Sequence, residues 1–511
     1  MNFSQLIQAM QEPNFYPHSV KIEIRVIQTH CSAVFLTGNY AYKIKKNVNF
    51  GFLDYSTLEK RHYFLQQELE MNHAIAPEIY LEVLPISQIN DSLILGSHEN
   101  VVEYVLKMAE FPQSALLISL FERGELKEFH LRELGEVVAS FHQKTNTNDY
   151  IKSFGKVEII KKAIDDNYQA TQKYIGIAQT LEKYQQTQQF TDNFLTEKQA
   201  IFESRCINNK IRECHGDLHL RNICYWHNKI QLFDRIEFNE PFRFVDVMYD
   251  VAFTVMDLEA KGRKDLGNIF LNTYLEKTGD WEGLQVLPFY LCRQAYVRAK
   301  VTSLLLDDPN IAESDKENAK QIAKNYYHLA WQYTQNFPGK IIVMSGLSGS
   351  GKSTIAKYLA PKINAIHLRS DAVRKHLAGI PLDQAGDESL YCPEMNEKTY
   401  QFLLDLGLLL ISQGFSVILD GKYDRHQWRS PILDAAEKGD FSLKILHCQA
   451  SMDTLKTRLQ TRKGDISDAT PDLLVQQQAN TDTFNEQEKK YAIAVNTEAE
   501  NWQSDLDSWL N

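Results

Sequence analysis

The feature that most constrains the fold is the segment GLSGSGKST at residues 346–354. It follows an apolar run, IIVMS, precedes a helix-like pattern, and matches the phosphate-binding P-loop pattern G-x-x-x-x-G-K-[ST]. In such a loop, glycines let consecutive backbone N–H groups converge on a phosphate, and the following helix presents its N-terminus to the negative charge. Strand, loop and helix in this order predict an α/β region with a parallel sheet.

The residues of this loop are predicted to bind a nucleotide. Lys352 is expected to reach the β- and γ-phosphates and to take part in catalysis, and the Ser353 hydroxyl is expected to bind Mg²⁺. A glycine- and serine-rich turn with a chance lysine is the structural alternative. The predicted nucleotide-binding residues are Gly346, Ser348, Gly349, Ser350, Gly351, Lys352, Ser353 and Thr354.

Two polar stretches follow the next predicted strands. LRSDAVRK places Asp371 and Arg374 after one strand, and VILDGKYDRHQWR places Asp420 at the end of another. In an open α/β sheet, the carboxyl ends of the strands face the ligand crevice. Asp420 is therefore predicted to orient Mg²⁺ through water, in a Walker-B-like position, with a simple strand-end turn as the alternative.

This part of the chain resembles small P-loop kinases of the gluconate, shikimate and zeta-toxin kind, and also polynucleotide 5′-kinases. The resemblance implies that Asp371 meets the acceptor hydroxyl as a base and that Arg374 helps to hold the substrate. It also implies that Arg458 and Arg462, in LKTRLQTRKGD, bind the transferring phosphoryl group as part of a lid. The alternatives are a helix N-cap for Asp371 and a solvated helix face for the two arginines.

A second polar segment, HGDLHLRN, lies at residues 215–222. Its histidines and the flanking cysteines suggest zinc, but their spacing matches no usual zinc pattern. The segment instead fits the pattern H-x-D-x-x-x-x-N of a kinase catalytic loop. Asp217 is predicted to accept the proton of an acceptor hydroxyl, and Asn222 and Asp234 (in LFDRIEF) are predicted to bind the metal. His215 is expected to hold the loop in place.

With this loop, the chain resembles the aminoglycoside-phosphotransferase and choline-kinase branch of the protein-kinase-like fold, so its upstream part is expected to be a lobe that covers a nucleotide. The resemblance implies that Lys43, in AYKIKK, binds the α- and β-phosphates. Lys45 points to the same strand face and is the second choice. Glu68, in the next predicted helix, is expected to pair with this lysine, with Glu70 as fallback and a plain surface acid as the alternative. YVLKMAEF resembles a kinase hinge, where the backbone near Lys107–Ala109 would read adenine.

These motifs resemble the aminoglycoside-phosphotransferase and choline-kinase branch of the protein-kinase-like fold. The resemblance implies that acids such as Asp246 and Asp250, four residues apart on a helix, brace the catalytic loop. The chain departs from the pattern in three places. Gly216 follows His215 where arginine is usual, THCSAVFL replaces a glycine-rich phosphate loop, and Arg235 replaces Phe-Gly after the aspartate.

The whole chain resembles a family of bacterial fusion proteins, in which an aminoglycoside-phosphotransferase-like module precedes a P-loop kinase module. The resemblance rests on YKIKKNVNFGFLDYSTLEKR, NHAIAPEIYLEV, HGDLHLRN, FDRIEFN, GLSGSGKST and LRSDAVRK. It implies an α+β bilobal protein-kinase-like domain followed by an α/β P-loop domain with a parallel sheet. It implies no particular substrate.

The predicted domain boundary lies at the break QNFPGK. The first domain is expected over residues 1–335, with an N-lobe at about 1–107 and a helical C-lobe at about 111–335, and the second over residues 336–511. Within the N-lobe, AVFLTGNYAYKIKK and SLILGSHENVVEYVLKMAEF each predict a hairpin. The run FLLDLGLLLISQGFSVILD predicts a buried helix, a glycine turn and a buried strand, not a membrane span.

Composition narrows the class of protein. The net charge of −11 argues against a broad polyanion-binding surface, so a nucleic-acid partner is not expected. The seven cysteines are scattered without a C-x-x-C pattern, and the N-terminus lacks a basic and apolar secretory signal. The sequence therefore predicts a cytoplasmic protein without a membrane partner.

The two motif sets together predict an ATP- and Mg²⁺-dependent phosphotransferase with two nucleotide sites and small hydroxylated metabolites as acceptors. One alternative is that the N-terminal module binds a ligand and regulates the C-terminal one without catalysis. Another is a polynucleotide 5′-kinase in the C-terminal part. The Gln-rich stretch at residues 156–208 is expected to form the acceptor pocket of the first module, where Arg293 and Arg298 could contact an anionic acceptor.

Overall fold

The computed structural model of the protein describes residues 3–20, 23–51, 53–90, 92–309 and 311–510. The chain forms two compact units. The first contains Met1–Asp257 and Arg293–Tyr326, and the second contains Leu258–Cys292 and Tyr327–Asn511. The domain boundary between residues 335 and 336 stays a prediction, and the second compact unit also takes in a segment from well before it.

Along the described residues, the strands are β1 (Arg25–Gln28), β2 (Ser32–Leu36), β3 (Tyr40–Lys45), β4 (Tyr80–Ile89), β5 (Ser92–Leu95), β6 (Val101–Ala109), β7 (Ile211–Glu213), β8 (Ile223–Trp226), β9 (Lys229–Leu232), β10 (Phe244–Asp246), β11 (Lys340–Ser345), β12 (Ala365–Arg369), β13 (Ser416–Asp420), β14 (Ser442–Gln449) and β15 (Ala492–Asn496).

The α-helices of the described residues are α1 (Phe3–Met10), α2 (Leu58–His73), α3 (Leu117–Glu122), α4 (Glu128–Lys144), α5 (Asp149–Ser153), α6 (Val157–Thr171), α7 (Leu181–Glu197), α8 (Gln199–Ile207), α9 (Glu240–Arg243), α10 (Val247–Ala260), α11 (Lys264–Thr278), α12 (Leu287–Leu304), α13 (Glu313–Gln332), α14 (Lys352–Ile363), α15 (Ser370–Ala378), α16 (Pro393–Ser412), α17 (His426–Gly439), α18 (Met452–Thr461), α19 (Leu473–Ala479), α20 (Glu486–Lys489) and α21 (Trp502–Leu510). Short 3-10 helices lie at Pro13–Phe15, Gln113–Ala115, Gln172–Tyr174, Leu220–Asn222, Trp281–Gln285, Leu305–Asp307 and Glu388–Tyr391.

The first unit begins with a six-stranded antiparallel sheet in the order β1-β2-β3-β6-β4-β5. The predicted hairpin of β2 with β3 is confirmed, and Gly38 in its turn has a φ of 97° that favours glycine. The predicted hairpin of β5 with β6 is wrong. β5 folds back on the long strand β4, and β6 lies between β3 and β4, because strand partners depend on contacts that are distant in sequence.

Helix α2 packs against this sheet and carries Glu68 toward it. Thr57 caps the helix, since its Oγ1 accepts a hydrogen bond from the N–H of Lys60 at 3.3 Å. Leu65 of the helix packs with Ile79 and Leu106 of the sheet region in one buried cluster.

The remainder of the first unit is largely helical. The apolar face of α4 packs inward, because Leu131, Leu134, Val138 and Phe141 are all buried. Residues 156–208 form α6, a short 3-10 turn, α7 and α8. β8 and β9 pair as a hairpin and follow the polar segment at residues 215–222.

The second unit contains a five-stranded sheet in the order β12-β13-β11-β14-β15, and every pair is parallel. The predicted parallel sheet is confirmed. Its core joins Ile342 and Met344 of β11 to Ile355 and Leu359 of α14. β15 is an addition that the sequence analysis missed. Its apolar run AIAV is only four residues long, and Val495 is its one buried residue.

Helix α11 belongs to this second unit and lies along the outer edge of its sheet. The side-chain amides of Asn268 and Asn272 donate hydrogen bonds to the carbonyl oxygen of Ala365 at 3.0 and 2.9 Å. The N–H of His367 donates to Asn272 Oδ1 at 2.7 Å. Two asparagines therefore satisfy backbone groups that edge strand β12 would otherwise leave without partners.

The most apolar run of the chain folds as predicted. It forms the end of α16, a turn at Gly414 with a φ of 84°, and the buried strand β13. Among the described helices, none combines the length and apolar character that crossing a bilayer requires.

Candidate active sites

The polar segment at residues 215–222 forms a loop between β7 and β8. Asn222 Nδ2 donates to Asp217 Oδ2 and to the Asp217 carbonyl oxygen, each at 3.0 Å. The Asp217 side chain is 37% exposed, so its carboxylate can meet a ligand. Asp234 follows β9 and adopts a left-handed φ of 62°.

Asp250 at the start of α10 braces this loop. Its carboxylate accepts hydrogen bonds from the N–H groups of His215 at 2.7 Å and Gly216 at 2.9 Å. The His215 ring contacts the carbonyl oxygen of Phe233 at 2.9 Å, which ties the loop to the end of β9. Asp246 was predicted to brace the loop together with Asp250. Its carboxylate instead pairs with the buried guanidinium of Arg205.

Gly216 explains one departure from the kinase pattern. Its φ is 85°, and a Cβ at this position would lie 2.6 Å from the carbonyl oxygen of Phe242. An arginine, the usual residue here, would be strained in this backbone and would clash.

The electrostatic surroundings keep Asp217 ionised at neutral pH. Burial raises the pKa of its carboxyl. The neighbouring His219 at 3.4 Å, together with His215 and Arg298, lowers this pKa by more than burial raises it, so that it is about 2. A carboxylate that is charged and partly exposed can accept a hydrogen bond from an acceptor hydroxyl.

Lys43 of β3 contacts two acids. Its Nζ lies 2.6 Å from Glu68 Oε1 and 2.8 Å from Asp234 Oδ1. The pairing with Glu68 is the one that the sequence predicts, while the fallback Glu70 is exposed. Burial raises the pKa of Glu68, but Lys43 and Lys45 lower this pKa by more than burial raises it, so that it is about 2.

Lys45, the second choice for the phosphate ligand, points into the protein instead. It is 1% exposed, and its Nζ contacts Glu68 Oε2 at 2.8 Å and Glu237 Oε1 at 2.5 Å. The Tyr55 hydroxyl donates to the same Glu237 oxygen at 2.6 Å. The sequence analysis missed Tyr55 and Glu237. The only signal for Glu237 is its position three residues after Asp234.

Arg235 is a buried structural link. Its guanidinium donates to the carbonyl oxygens of Met71 at 3.0 Å and Glu213 at 2.9 Å, and lies 4.9 Å from the centre of the Phe141 ring. It therefore joins the end of α2 to the strand before the catalytic loop. The substitution of Phe-Gly by arginine adds no charge to the exposed part of the site.

The residues of the predicted hinge form the end of strand β6. Lys107 pairs within the sheet with Tyr42 on one side and Glu82 on the other, and the N–H of Ala109 donates to the carbonyl oxygen of Ile79 at 2.8 Å. The role of this backbone toward adenine stays a prediction.

The P-loop of the second unit has the geometry that its glycines permit. Gly346, Gly349 and Gly351 have φ values of 135°, 79° and 88°. A Cβ on Gly346 would lie 2.5 Å from the carbonyl oxygen of Cys448, so no other residue fits this tight turn. Gly351 also begins α14 without a side-chain cap, which leaves the N-terminal N–H groups of that helix open to an anion.

The polar side chains of the loop fit a phosphate ligand. Lys352 Nζ donates to the carbonyl oxygens of Gly346 at 2.9 Å and Leu347 at 2.8 Å. Ser350 Oγ is buried and has no hydrogen-bond partner among the described residues. The N–H of Ser348 donates to Gln477 Oε1 at 3.1 Å, which fixes the loop against α19.

Asp420 and Ser353 lie together beside the loop. The Ser353 side chain lowers the pKa of Asp420, and the His367 ring contacts Asp420 Oδ2 at 2.9 Å. Burial raises the pKa of Asp420, but His367, Arg369 and Ser353 lower this pKa by more than burial raises it, so that it is about 2. A serine hydroxyl beside a buried carboxylate suits a Mg²⁺ site, although the two roles stay predictions.

Asp371 and Arg374 face the same cavity. Arg374 donates to Asp371 Oδ1 at 2.9 Å and to Asn396 Oδ1 at 3.1 Å, and its guanidinium lies 4.9 Å from the centre of the Tyr391 ring. Arg374 is 5% exposed, and its Nε has no hydrogen-bond partner among the described residues.

The two arginines that are predicted to form a lid donate hydrogen bonds to the Thr497 hydroxyl and to backbone carbonyl oxygens. Arg458 donates to Thr497 Oγ1 at 2.8 Å and to the Thr497 carbonyl oxygen at 2.9 Å. Arg462 donates to the carbonyl oxygens of Ser467 at 2.9 Å and Ala469 at 2.8 Å. Both differ from a solvated helix face, and their role toward phosphate stays a prediction.

One cavity of about 1190 Å³ joins these groups. It is lined by the P-loop, by the ends of β12 and β13, and by Tyr400 and Trp428, whose rings stack at 4.5 Å. Pockets for a single small ligand usually measure about 300 to 1,000 Å³. The cavity is therefore large enough for a nucleotide and a small second molecule.

Comparison with known proteins gives three kinds of match. The sequence model of the AAA domain family matches residues 341–487, which contain the P-loop. Three uncharacterized proteins, one from Mycobacterium bovis and two from strains of Mycobacterium tuberculosis, are each 30% identical to this chain over 467 residues. The alignments cover 90% of this chain and 91% of each relative.

Some solved structures match part of the chain. A sugar kinase from Janibacter sp. has a TM-score of 0.27 and 23% identity, and the match covers 34% of this chain and 95% of that one. A choline/ethanolamine kinase family protein from Mesorhizobium loti has a TM-score of 0.36 and 10% identity, and the match covers 64% of this chain and 98% of that one.

Proposed function

The chain belongs to the family of the three mycobacterial proteins, and we propose that it is an ATP- and Mg²⁺-dependent phosphotransferase with two separate nucleotide sites. Residues 1–335 form a protein-kinase-like domain in this proposal, and residues 336–511 form a P-loop kinase domain. Each site transfers a γ-phosphoryl group to a hydroxyl of a small metabolite.

At the first site, the supporting observation is the grouping of one lysine and several oxygen ligands from distant parts of the chain. Asn222 contacts Asp217 at 3.0 Å, and Lys43 contacts Asp234 at 2.8 Å. In this proposal, Asp217 accepts a hydrogen bond from the acceptor hydroxyl and later takes its proton, and Lys43 binds the nucleotide phosphates. Asn222 and Asp234 would hold Mg²⁺.

At the second site, the supporting observation is the P-loop beside a buried carboxylate. Backbone N–H groups and Lys352 bind phosphate oxygens in this proposal, and Ser353 and Asp420 would hold Mg²⁺. Asp371 accepts the proton of the acceptor hydroxyl, and Arg374 orients the acceptor. Bound Mg²⁺ would supply neutralisation of the phosphate charge at both sites.

The observation that carries the proposal is that both sites combine a lysine with the oxygen ligands that phosphoryl transfer needs. Because each site acts by positioning and charge neutralisation, loss of one group should cost much of the rate. Asp217→Asn should lower turnover at the first site about a hundredfold to ten-thousandfold. Lys352→Ala should lower turnover at the second site about a hundredfold to a thousandfold.

The experiment measures ATP consumption by the full chain with Mg²⁺ and a library of hydroxylated metabolites. Each substitution should remove the activity toward its own set of acceptors and leave the other set unchanged. Tyr63→Ala, an exposed change on α2, is the control for handling of the variants. The proposal is wrong if neither substitution changes ATP consumption with any acceptor.

A second candidate function is regulation by the first unit without catalysis. The contact of Lys43 with Asp234 favours it, because the predicted metal ligand is engaged by the predicted phosphate ligand. Labelled ATP titrated into Asp217→Asn separates the two functions. Retained binding with unchanged total activity would support regulation, whereas loss of one activity would support catalysis.

A further inference from the structure

Five charged side chains form a continuous chain of ion pairs in the first unit. In order, the chain contains Asp234, Lys43, Glu68, Lys45 and Glu237, with neighbouring charges in contact at 2.8, 2.6, 2.8 and 2.5 Å. Its members come from β3, from α2 and from the segment after β9. This alternation of sign binds three parts of the lobe together.

The two lysines have different surroundings. Lys43 is 14% exposed and touches Asp234, whose side chain is 44% exposed, so this end of the chain can meet a ligand. Lys45 is 1% exposed, and its partners Glu68 and Glu237 are buried. Only Lys43 is therefore available to a phosphate, and Lys45 must serve another purpose.

Glu68 shows what that purpose is. Its two oxygens are held separately, Oε1 by Lys43 and Oε2 by Lys45. Glu237 supplies the second negative charge, so Lys45 is neutralised without drawing Glu68 away from Lys43. The Tyr55 hydroxyl, which also contacts Lys45 at 3.2 Å, completes the surroundings of this inner pair.

We propose that Lys45 and Glu237 are positioning residues of the first site, which fix Glu68 so that Lys43 is presented to nucleotide phosphate. This rests on the proposed function of that site. A phosphate that binds Lys43 competes with Asp234 for it, whereas the inner pair keeps its contacts. The inner pair thus holds Glu68 in its contact with Lys43 independently of the contact between Lys43 and Asp234.

The test removes the inner pair without leaving a charge behind. Single changes such as Lys45→Met leave Glu237 buried without its cation and are expected to destabilise the unit. The double variant Lys45→Met/Glu237→Gln removes both charges and should fold. The matched control is Arg61→Met/Glu103→Gln, which removes another buried ion pair of the same lobe, between α2 and β6, with a Nε–Oε2 distance of 2.8 Å.

The parent protein for this test carries Lys352→Ala, and every variant is made in this parent. Because Lys352→Ala disables the proposed second site, binding of a fluorescent ATP analogue reports the first site. The double variant should weaken binding at fixed Mg²⁺ on the order of tenfold or more, as changes to supporting residues of metal and phosphate sites do. The control variant should bind as the parent does, and thermal unfolding should show that both variants are folded.

A second readout reports position directly. An acyl-phosphate derivative of ATP acylates lysines beside bound phosphates, and mass spectrometry identifies the labelled residue. The parent should be labelled at Lys43, the inner-pair variant much less, and the control like the parent. Parent-like binding and labelling by the inner-pair variant, or labelling of Lys45 in the parent, would overturn the inference.

The outcome for the parent alone separates this inference from the proposed function. If the parent with Lys352→Ala neither binds the analogue nor becomes labelled, the proposed nucleotide site of the first unit is wrong, and the inference falls with it. If the parent binds and is labelled at Lys43, the site stands, and the inner-pair variant decides the inference.

Discussion

Lys43 and Lys352 are both proposed to bind nucleotide phosphates, each in its own unit, but their surroundings differ. Lys43 Nζ contacts the carboxylates of Glu68 and Asp234 at 2.6 and 2.8 Å. Lys352 Nζ contacts the backbone carbonyl oxygens of Gly346 and Leu347 at 2.9 and 2.8 Å. The first unit gives its lysine two carboxylates in direct contact, whereas the direct contacts of Lys352 are with neutral carbonyl dipoles.

The pKa values follow this difference. Burial lowers the pKa of Lys43, but Asp234 and Glu68 raise it well above its ordinary value. Burial also lowers the pKa of Lys352, and Asp420 opposes this only in part, so the pKa stays below its ordinary value. The comparison teaches that the first lysine contributes to folding, whereas the second holds a charge ready for a ligand.

The largest effect should separate the two units by stability. Glu68→Ala leaves Lys43 and Lys45 with too few partners, and should lower the free energy of unfolding of the first unit by about 3 to 5 kcal/mol. Lys352→Ala removes a charge whose Nζ contacts the carbonyl oxygens of Gly346 and Leu347, and should change the free energy of unfolding of the second unit by less than about 1 kcal/mol. Peptide-resolved hydrogen exchange measures each unit separately.

Gln67→Ala, on the same helix and only partly buried, serves as the control for Glu68→Ala. The contrast between the units would break if Lys352→Ala destabilised the second unit as strongly as Glu68→Ala destabilises the first.

A smaller effect should come from an anion alone. Tripolyphosphate without Mg²⁺ should bind the P-loop, because open N–H groups and an uncompensated lysine meet there. At a hundred times its dissociation constant it should stabilise the second unit by about 2.7 kcal/mol. Thermal unfolding with and without the anion measures this shift.

Lys352→Ala should abolish the stabilisation, and Lys43→Ala should leave it unchanged. Stabilisation of the first unit by the metal-free anion would contradict the contrast, since Lys43 already has its counter-charges.

The smallest effect should be a loss of stability at acid pH, which both units should show. Asp420 has a pKa of about 2 in the folded chain and 3.8 as its ordinary value. Because the folded pKa is the lower one, Asp420 adds stability above pH 4, by about 2 kcal/mol, which is lost as the pH falls toward 2. Glu68, also with a pKa of about 2, gives the first unit the same direction of change.

Urea unfolding of the second unit between pH 6 and pH 2.5 measures this loss. Asp420→Asn should flatten the acid part of the profile of the second unit and leave that of the first unaltered. An unchanged profile in this variant would show that other carboxylates cause the acid sensitivity.

Sequence succeeded where a site is local. The P-loop is one contiguous segment, so its residues and its parallel sheet could be predicted from spacing alone. The partnership of Lys43 with Glu68 could also be predicted, because a strand and the next helix carry them. Both rest on backbone geometry that nearby residues determine.

Sequence failed where contacts are distant. The pairing of β5 with β4 was mispredicted because alternation shows that a strand exists but not which partner it takes. Glu237 was missed because its partner, Lys45, lies 192 residues away. The place of Leu258–Cys292 in the second unit was missed for the same reason, since only the folded chain brings Asn268 to β12.

The asparagines of α11 have a practical consequence for anyone who cuts this chain. A fragment that starts at residue 336 would keep the P-loop but lose the amides that cover Ala365 and His367. The edge of β12 would then be exposed and could pair with strands of neighbouring molecules, so the fragment would tend to aggregate. A soluble truncation has to begin before Leu258.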